Sequence, residues 1–229
     1  MDSKTITAKQ LCRLFDHTNL KPYAAEEDFR TLCKEAADHH FAMVAINSSP
    51  VKFCKELLKG TDVHVGAAIS FPLGQTTVET KVFETRNAIQ NGADEIDYVV
   101  NVGEVKQGRW DYIQREMEEI TAACRESGKL SKVIFENCYL EKEEIRRLAQ
   151  IALRIKPDFI KTSTGFGTGG ATVEDVKLMK DVVGDQIQVK AAGGIRSWET
   201  CAAMIDAGAT RVGTSSSLKI LEEFLAARD

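Results

Sequence analysis

The sequence has no Cys-x-x-Cys pair among its six cysteines and no His-x-x-x-His spacing among its four histidines, which removes the usual ligand patterns of a structural zinc site. The cysteines, Cys12, Cys33, Cys54, Cys124, Cys138 and Cys201, are scattered, and no apolar segment follows the polar start Met1-Asp2-Ser3-Lys4. No signal peptide is therefore expected, and a reducing, cytoplasmic setting is. Long hydrophobic runs are missing too. Charges interrupt each candidate before it reaches the length that crosses a bilayer, so no membrane partner is expected. Nor does one sign of charge dominate: 30 Lys and Arg stand against 34 Asp and Glu, and a net charge of −4 offers no footprint for nucleic acid. A small molecule is the expected partner.

What is present is ordinary globular composition, 43% hydrophobic and 28% charged, over 229 residues, which is the length of one α/β barrel. One domain covering residues 1–229 is expected. Short apolar or alternating runs are each followed by a stretch with apolar residues at helical spacing, and this continues from end to end. An opening helix over 7–15 precedes a brief strand at Asp16-His17-Thr18. Further strands are expected over 42–47, 63–71, 94–101, 132–136, 159–162, 187–191 and 211–214, with helices between them, for example over 77–90, 112–126 and 142–155. Asn91-Gly92 and Ala207-Gly208 end their helices and lead into strands. With no linker or low-complexity segment, the pattern predicts an α/β fold, a (β/α)8 TIM barrel with a short N-terminal helix. An open doubly wound sheet is the alternative, but no G-x-G-x-x-G turn follows the first strand.

Side chains alternate along a strand, so one parity faces the helices and the other the barrel axis. In Ile96-Asp97-Tyr98-Val99-Val100-Asn101 the apolar even positions suit the helix layer, which turns Asp97 and Asn101 inward. The same test sends Gln188 and Lys190 inward from the seventh strand and Lys161 inward from the sixth. Three ionisable groups, Asp97, Lys161 and Lys190, thus converge. Burying one lysine is costly and burying two together more so, so folding alone does not select the arrangement. A lysine desolvated beside a second cation has a depressed pKa and attacks carbonyls as the free amine, which is Schiff-base chemistry, and an inward carboxylate can shuttle the protons. A satisfied structural ion network is the competing reading, as is a parity shifted by one. Glu136, placed at the end of the fifth strand, either orients Lys161 or a water or forms a supporting salt bridge.

Two glycine-rich turns follow the last strands, Ala191-Ala192-Gly193-Gly194-Ile195-Arg196 and Gly213-Thr214-Ser215-Ser216-Ser217, and a third, residues 164–170, follows the sixth. Bare backbone N–H groups, serine hydroxyls and a helix N-terminus make an anion cradle without excess basic residues. Each turn alone is also consistent with a tight loop. Their position beside the lysines predicts a phosphate site.

These residues resemble the 2-deoxyribose-5-phosphate aldolases. Asp16-His17-Thr18-Asn19-Leu20-Lys21-Pro22 is similar to the family's opening strand motif, and Gly92-Ala93-Asp94-Glu95-Ile96-Asp97 to its central one. Phe159-Ile160-Lys161-Thr162-Ser163-Thr164-Gly165-Phe166 resembles the Schiff-base strand, and residues 189–196 and 211–216 the second-lysine and phosphate motifs. The resemblance implies a class I lyase that cleaves 2-deoxy-D-ribose 5-phosphate to glyceraldehyde 3-phosphate and acetaldehyde in deoxyribonucleotide catabolism. It makes Lys161 the nucleophile and Asp97 with Lys190 the proton relay. Thr164, Gly165, Gly193, Gly194, Gly213, Ser215 and Ser216 would line the phosphate site, with Thr18 in the substrate-binding set. The imine does the polarising, so neither metal nor cofactor is implied, and a homo-oligomer, dimer or tetramer, is. The sequence departs from the family at Ala45, where many members carry cysteine, at Glu136-Asn137-Cys138, where Glu-Thr is more usual, and in a C-terminal end without tyrosine. Two rivals remain at this level: a lysine-dependent aldolase with a ketone donor, and a phosphate-binding barrel without catalysis. Retention of both lysines and Asp97 argues against the second, and fold alone decides neither.

Overall fold

The protein was analysed as a computed structural model that describes residues 2–228. Its elements run α1 (Ala8–Cys12), β1 (Phe15–Thr18), α2 (Glu26–Asp38), β2 (Met43–Asn47), α3 (Val51–Leu57), β3 (His64–Ile69), α4 (Val78–Gln90), β4 (Glu95–Val99), α5 (Val102–Lys106) and α6 (Trp110–Glu126). There follow β5 (Leu130–Ile134), α7 (Lys142–Ile155), β6 (Phe159–Lys161), α8 (Val173–Val183), β7 (Gln188–Ala192), α9 (Trp198–Asp206), β8 (Arg211–Thr214) and α10 (Ser217–Ala226). The strands close into one barrel in chain order, every neighbouring pair parallel. This is the predicted (β/α)8 TIM barrel with its short N-terminal helix.

Local chemistry accounts for where the helices start. Thr77, Thr172 and Ser197 each accept a hydrogen bond from the backbone N–H three residues on, starting α4, α8 and α9. Thr7 does the same for α1, with Gln10 reaching back to close a capping box. In α7 the buried residues Ile145, Leu148, Ala149, Ile151 and Ala152 fall on one stripe, the spacing that turns one face of a helix onto a sheet.

Barrel closure keeps one parity inside all the way round. The register sets Asp97 beside Lys132, Lys161 beside Lys190, and Lys190 beside Arg211. The other parity, including Val44, Ile46, Val65, Ile96, Tyr98, Val133, Ile160, Val189 and Val212, joins the helix faces in one continuous apolar layer. Each large aliphatic buried there contributes roughly 1.5–3 kcal/mol. Stabilisation therefore resides between sheet and helices, and the axis is free to hold polar groups. Met43 and Ala45 form a small apolar patch within the ring, and Gly66 is small because a Cβ there would overlap the Met43 thioether.

Three expectations need correction. The opening helix ends at Cys12, not at 15, because Phe15 already pairs with Val212 in the sheet. The fifth strand runs from Leu130 to Ile134 instead of over 132–136, since Glu136 turns left-handed at φ 59° and leaves the ladder. Asn101 does not face the barrel axis as an inward strand residue. It lies beyond β4 and caps α5, its Oδ1 accepting from the Glu104 N–H at 3.3 Å.

Among the described residues the helix layer holds one fully buried ion pair, Lys81 of α4 with Glu116 of α6, at 2.5 Å. Lys81 also donates to the Val99 carbonyl at 2.7 Å, and Glu116 accepts from the Asn101 N–H at 3.2 Å, so the pair clamps the chain where it leaves β4. Burial pushes the Lys81 pKa down and the Glu116 carboxyl up, in each case more than the partner pulls it back. A buried pair of this kind adds little over an apolar filling of the same shape, and here it fixes that exit. Lys81→Met or Glu116→Leu alone is expected to cost about 3–5 kcal/mol by leaving one buried charge unpaired. The double variant should lose less than either, about 1–3 kcal/mol for the orphaned Val99 and Asn101 backbone groups. Urea denaturation of the three variants checks this, and additive losses would contradict it.

Candidate active site

The inward residues from six of the eight strands form a continuous chain of charge. Asp97 accepts from three lysines: Lys132 Nζ at 2.7 Å on Oδ1, and Lys161 Nζ at 2.8 Å and Lys190 Nζ at 2.6 Å on Oδ2. Lys132 also contacts Glu95, and Lys190 contacts Asp16. Arg211 closes the ring by donating to Asp16 at 2.7 Å and to both oxygens of Glu95 at 3.3 Å. His64, half exposed at the opposite mouth of the barrel, meets Glu95 through Nδ1 at 2.7 Å. The Phe159 ring lies under both Lys132 and Arg211, within 5.7 and 5.1 Å of its centroid.

The three predicted groups are thus brought together, but they are part of a larger set. Asp16, Glu95, Lys132 and Arg211 were not anticipated. Glu95 shares the inward parity of Asp97, and Lys132 shares that of the fifth strand once its true start at Leu130 is known. The missed signal was therefore parity in strands β1, β4, β5 and β8.

Electrostatics separate the lysines. Burial alone would raise the Asp97 carboxyl, but Lys132, Lys161 and Lys190 outweigh it and hold Asp97 well below the usual carboxylate range. Burial would likewise lower Lys132, yet Asp97, Glu95 and Asp16 outweigh it and the amine is pushed up. Lys161 behaves oppositely. Burial pulls it down, Asp97 pulls it up, and the nearby Lys190 and Lys132 pull it down again, leaving it at about 8. The geometry accounts for this. Three carboxylates face four bases, and Lys161 touches only one carboxylate oxygen, which it shares with Lys190. Its amine is closer to the free form at neutral pH than that of an ordinary lysine.

Lys161 is also the one of the three lysines that reaches the cavity at the C-terminal mouth, a space of about 470 Å³. Thr18, Thr164, Gly165, Gly193, Gly194, Gly213 and Ser215 line it as well, with Ala45, His17 and Glu35. Ser216 of the predicted set is not among the lining residues. It stands just before α10, and its N–H is bound to Thr214 Oγ1 at 2.9 Å. Asp97 and Lys190 lie beneath the floor, one contact below Lys161.

The rim is built from the three glycine-rich turns packed on one another. A Cβ at Gly170 would overlap the Gly193 carbonyl, and Gly165 and Gly193 both have positive φ, at 88° and 87°. The Ala171 N–H donates to the Ala192 and Gly193 carbonyls at 3.1 and 3.0 Å, and the Thr214 hydroxyl donates to the Ile195 carbonyl at 2.7 Å. Glu136 makes no hydrogen bond or ion pair with Lys161 or Lys190. Its carboxylate accepts from the Thr164 N–H at 3.0 Å and from the Thr164 hydroxyl, and so it holds the turn that carries Gly165. Burial pushes the Glu136 carboxyl up, offset in part by those two bonds. Among the described residues no group of three or more His, Cys, Asp or Glu is arranged to hold a metal ion, and no helix is long and apolar enough to cross a membrane.

With this geometry in view, comparison with known proteins is informative. A model of the DeoC/LacD family of aldolases matches residues 11–223. The chain is 59% identical over 216 residues to a deoxyribose-phosphate aldolase of Lactobacillus acidophilus, covering 94% of this chain and 91% of that protein. It is 52% identical over 214 residues to one from Thermococcus gammatolerans, covering 93% and 95%. Among solved structures, the tetrameric deoxyribose phosphate aldolase of Aeropyrum pernix superposes with a TM-score of 0.90 at 31% identity, over 96% of this chain and 93% of that one.

The shared Asp97 contact yields a test on Lys161. Only the uncharged amine reacts with an acylating reagent, so competitive labelling of Lys161 should rise with pH through a midpoint near 8. Lys190→Met removes a cation that lowers Lys161 and frees Asp97 to hold it, two effects of one sign. The midpoint should move up by about one unit. A midpoint that stays or falls would show that Lys190 does not act on Lys161 in this way.

Proposed function

We propose, for a chain that belongs to the DeoC/LacD family of aldolases, that it is a class I deoxyribose-phosphate aldolase working through a Schiff base on Lys161. The observation that carries the reading is one amine, depressed to about 8, on the floor of a cavity whose rim is formed by the glycine-rich turns at Gly165, Gly193, Gly194 and Gly213. Such an enzyme needs a nucleophilic amine at one end of its substrate and a phosphate grip at the other.

The chemistry follows from these positions. Lys161 Nζ adds to the C1 aldehyde of open-chain 2-deoxy-D-ribose 5-phosphate, and loss of water gives the protonated imine. Its positive nitrogen is the electron sink. Asp97 and Lys190, acting through a water above them, take the proton from the C3 hydroxyl, and the C2–C3 bond breaks as its electron pair moves toward the imine. Glyceraldehyde 3-phosphate leaves. The enamine on Lys161 is protonated at C2, and water hydrolyses the new imine to acetaldehyde and free lysine. Asp97 suits this work because three cations keep it ionised between turnovers. Gly193, Gly194, Gly213 and Ser215 with the start of α10 hold the phosphate and fix the distance to Lys161, so binding at the far end contributes to positioning. Thr18 and Ala45 line the same cavity from the adjacent strands β1 and β2.

The same reading makes the protein a cytoplasmic enzyme of deoxyribonucleotide catabolism. A homo-oligomer is proposed with it, supported by the tetrameric relative from Aeropyrum pernix.

Incubation with acetaldehyde and borohydride should add two carbons to Lys161, read by peptide mass spectrometry, and Lys161→Met should abolish both the adduct and cleavage of 2-deoxyribose 5-phosphate. An adduct on Lys190 would keep the chemistry and exchange the two lysines. No adduct in folded protein would remove the aldolase reading.

A further inference from the structure

His17 is the one titratable residue of β1 that points away from the barrel axis. It lies between the inward residues Asp16 and Thr18, so its ring enters the layer between sheet and helices, where it is 4% exposed. There it bridges two helices. Nε2 lies 2.8 Å from Glu35 Oε2 on α2, and Nδ1 lies 3.0 Å from Oγ of Ser217, the first residue of α10. A carboxylate only accepts, so Nε2 carries the ring proton and Nδ1 is left to accept from the Ser217 hydroxyl. Burial pushes the imidazole pKa down, by more than Glu35 restores, which favours this neutral form. Phe41 packs against the ring with centroids 5.2 Å apart and limits its rotation.

The connectivity is that of a Ser-His-acid triad, but its serine cannot act as a nucleophile on a bound substrate. Ser217 is fully buried and is not among the residues lining the cavity. What Ser217 does occupy is the first turn of α10. That helix has ten residues, no side chain caps it at Ser216, and Ser215 just before it lines the cavity. Its leading N–H groups have no side-chain cap, they follow the cavity-lining turn at Ser215, and their direction depends on how residue 217 is held. The Ser217 hydroxyl has one hydrogen to give, and its alternative acceptor, the Thr214 carbonyl in its own turn, is more distant at 3.4 Å.

We infer that His17 is a positioning residue for phosphate: braced by Glu35, it holds Ser217 and thereby aims the N-terminus of α10 into the cavity. It lines the same cavity as Lys161, but its two ring nitrogens are engaged by Glu35 and Ser217. The inference rests on the aldolase reading only for the identity of the phosphate ester.

The test compares three variants. His17→Phe keeps the ring shape and loses both bonds, Ser217→Ala loses the link from the other side, and His17→Asn keeps an acceptor near the Nδ1 position. With 2-deoxyribose 5-phosphate, His17→Phe and Ser217→Ala should each raise KM about three- to tenfold, the loss of one buried hydrogen bond, with a smaller change in kcat. The preference in kcat/KM for the phosphorylated sugar over 2-deoxyribose should fall by the same factor, and His17→Asn should recover most of it. Binding of inorganic phosphate to each variant, measured by titration calorimetry, should weaken in parallel. An unchanged preference together with unchanged phosphate binding would overturn the inference, as would equal losses on both sugars. Weakened phosphate binding in a protein that cleaves neither sugar would keep His17 in this role and remove the aldolase reading instead.

Discussion

Everything in this barrel depends on the ion cluster along its axis. Seven charged side chains are packed where water is scarce, and each ion taken from water into such a place costs several kcal/mol unless it is fully partnered. Two features of the fold make that tolerable. The outward parity of the same strands forms an unbroken apolar layer with the helices, and barrel closure places carboxylate and ammonium groups at contact distance without long flexible reaches. Asp97 is the hub: it accepts from Lys132, Lys161 and Lys190 at 2.7, 2.8 and 2.6 Å. Because these bonds come from neighbouring strands, the sheet register itself sets the geometry.

The cluster is also unequal in a useful way. Lys132 and Arg211 each engage more than one carboxylate and sit deep, toward the mouth opposite the cavity. They neutralise Asp16, Glu95 and Asp97 and leave little negative charge for the amine above. Lys161 therefore has an incomplete set of partners and opens to the cavity. A buried base with every acceptor satisfied would stay protonated and inert, whereas one in surplus is held near its transition between forms. The same residues that look like structural ballast leave Lys161 as the under-partnered amine at the cavity.

Much of this was legible from strand parity. The alternation in residues 96–101, 159–162 and 187–191 is enough to turn Asp97, Lys161 and Lys190 to the axis, and all three are there. Lys132 was hidden because the fifth strand was expected to start at it. A lysine at a strand's first position reads as solvated at the barrel mouth, and only the true start at Leu130 carries it inward. Arg211 does stand first in β8, and it is buried because its long side chain extends along the axis to Asp16 and Glu95. The contacts of His17 have no local signature at all. Its partners lie 18 and 200 residues away, and only the placement of α2 and α10 on either side of β1 brings them together. Ser216 shows the converse. The glycine-serine turn marks the right loop, but which serine meets the cavity depends on the turn geometry, set by the Thr214 hydroxyl.

The two ends of the cavity are governed by different physics, and the fold keeps them apart. At the lysine end, position and charge are fixed by side chains on adjacent strands, where rigidity comes from the ladder and the cost is desolvation. At the rim, the lining is glycine-rich turn with the side chains of Lys21 and Arg196 among it. Further lysines on the inner strands would each lower the Lys161 pKa and would also compete for Asp97. Positive charge carried instead on the rim loops, with the oriented dipoles of the turns, avoids that interference, and a net charge of −4 does not oppose an anionic ligand because these groups act at close range.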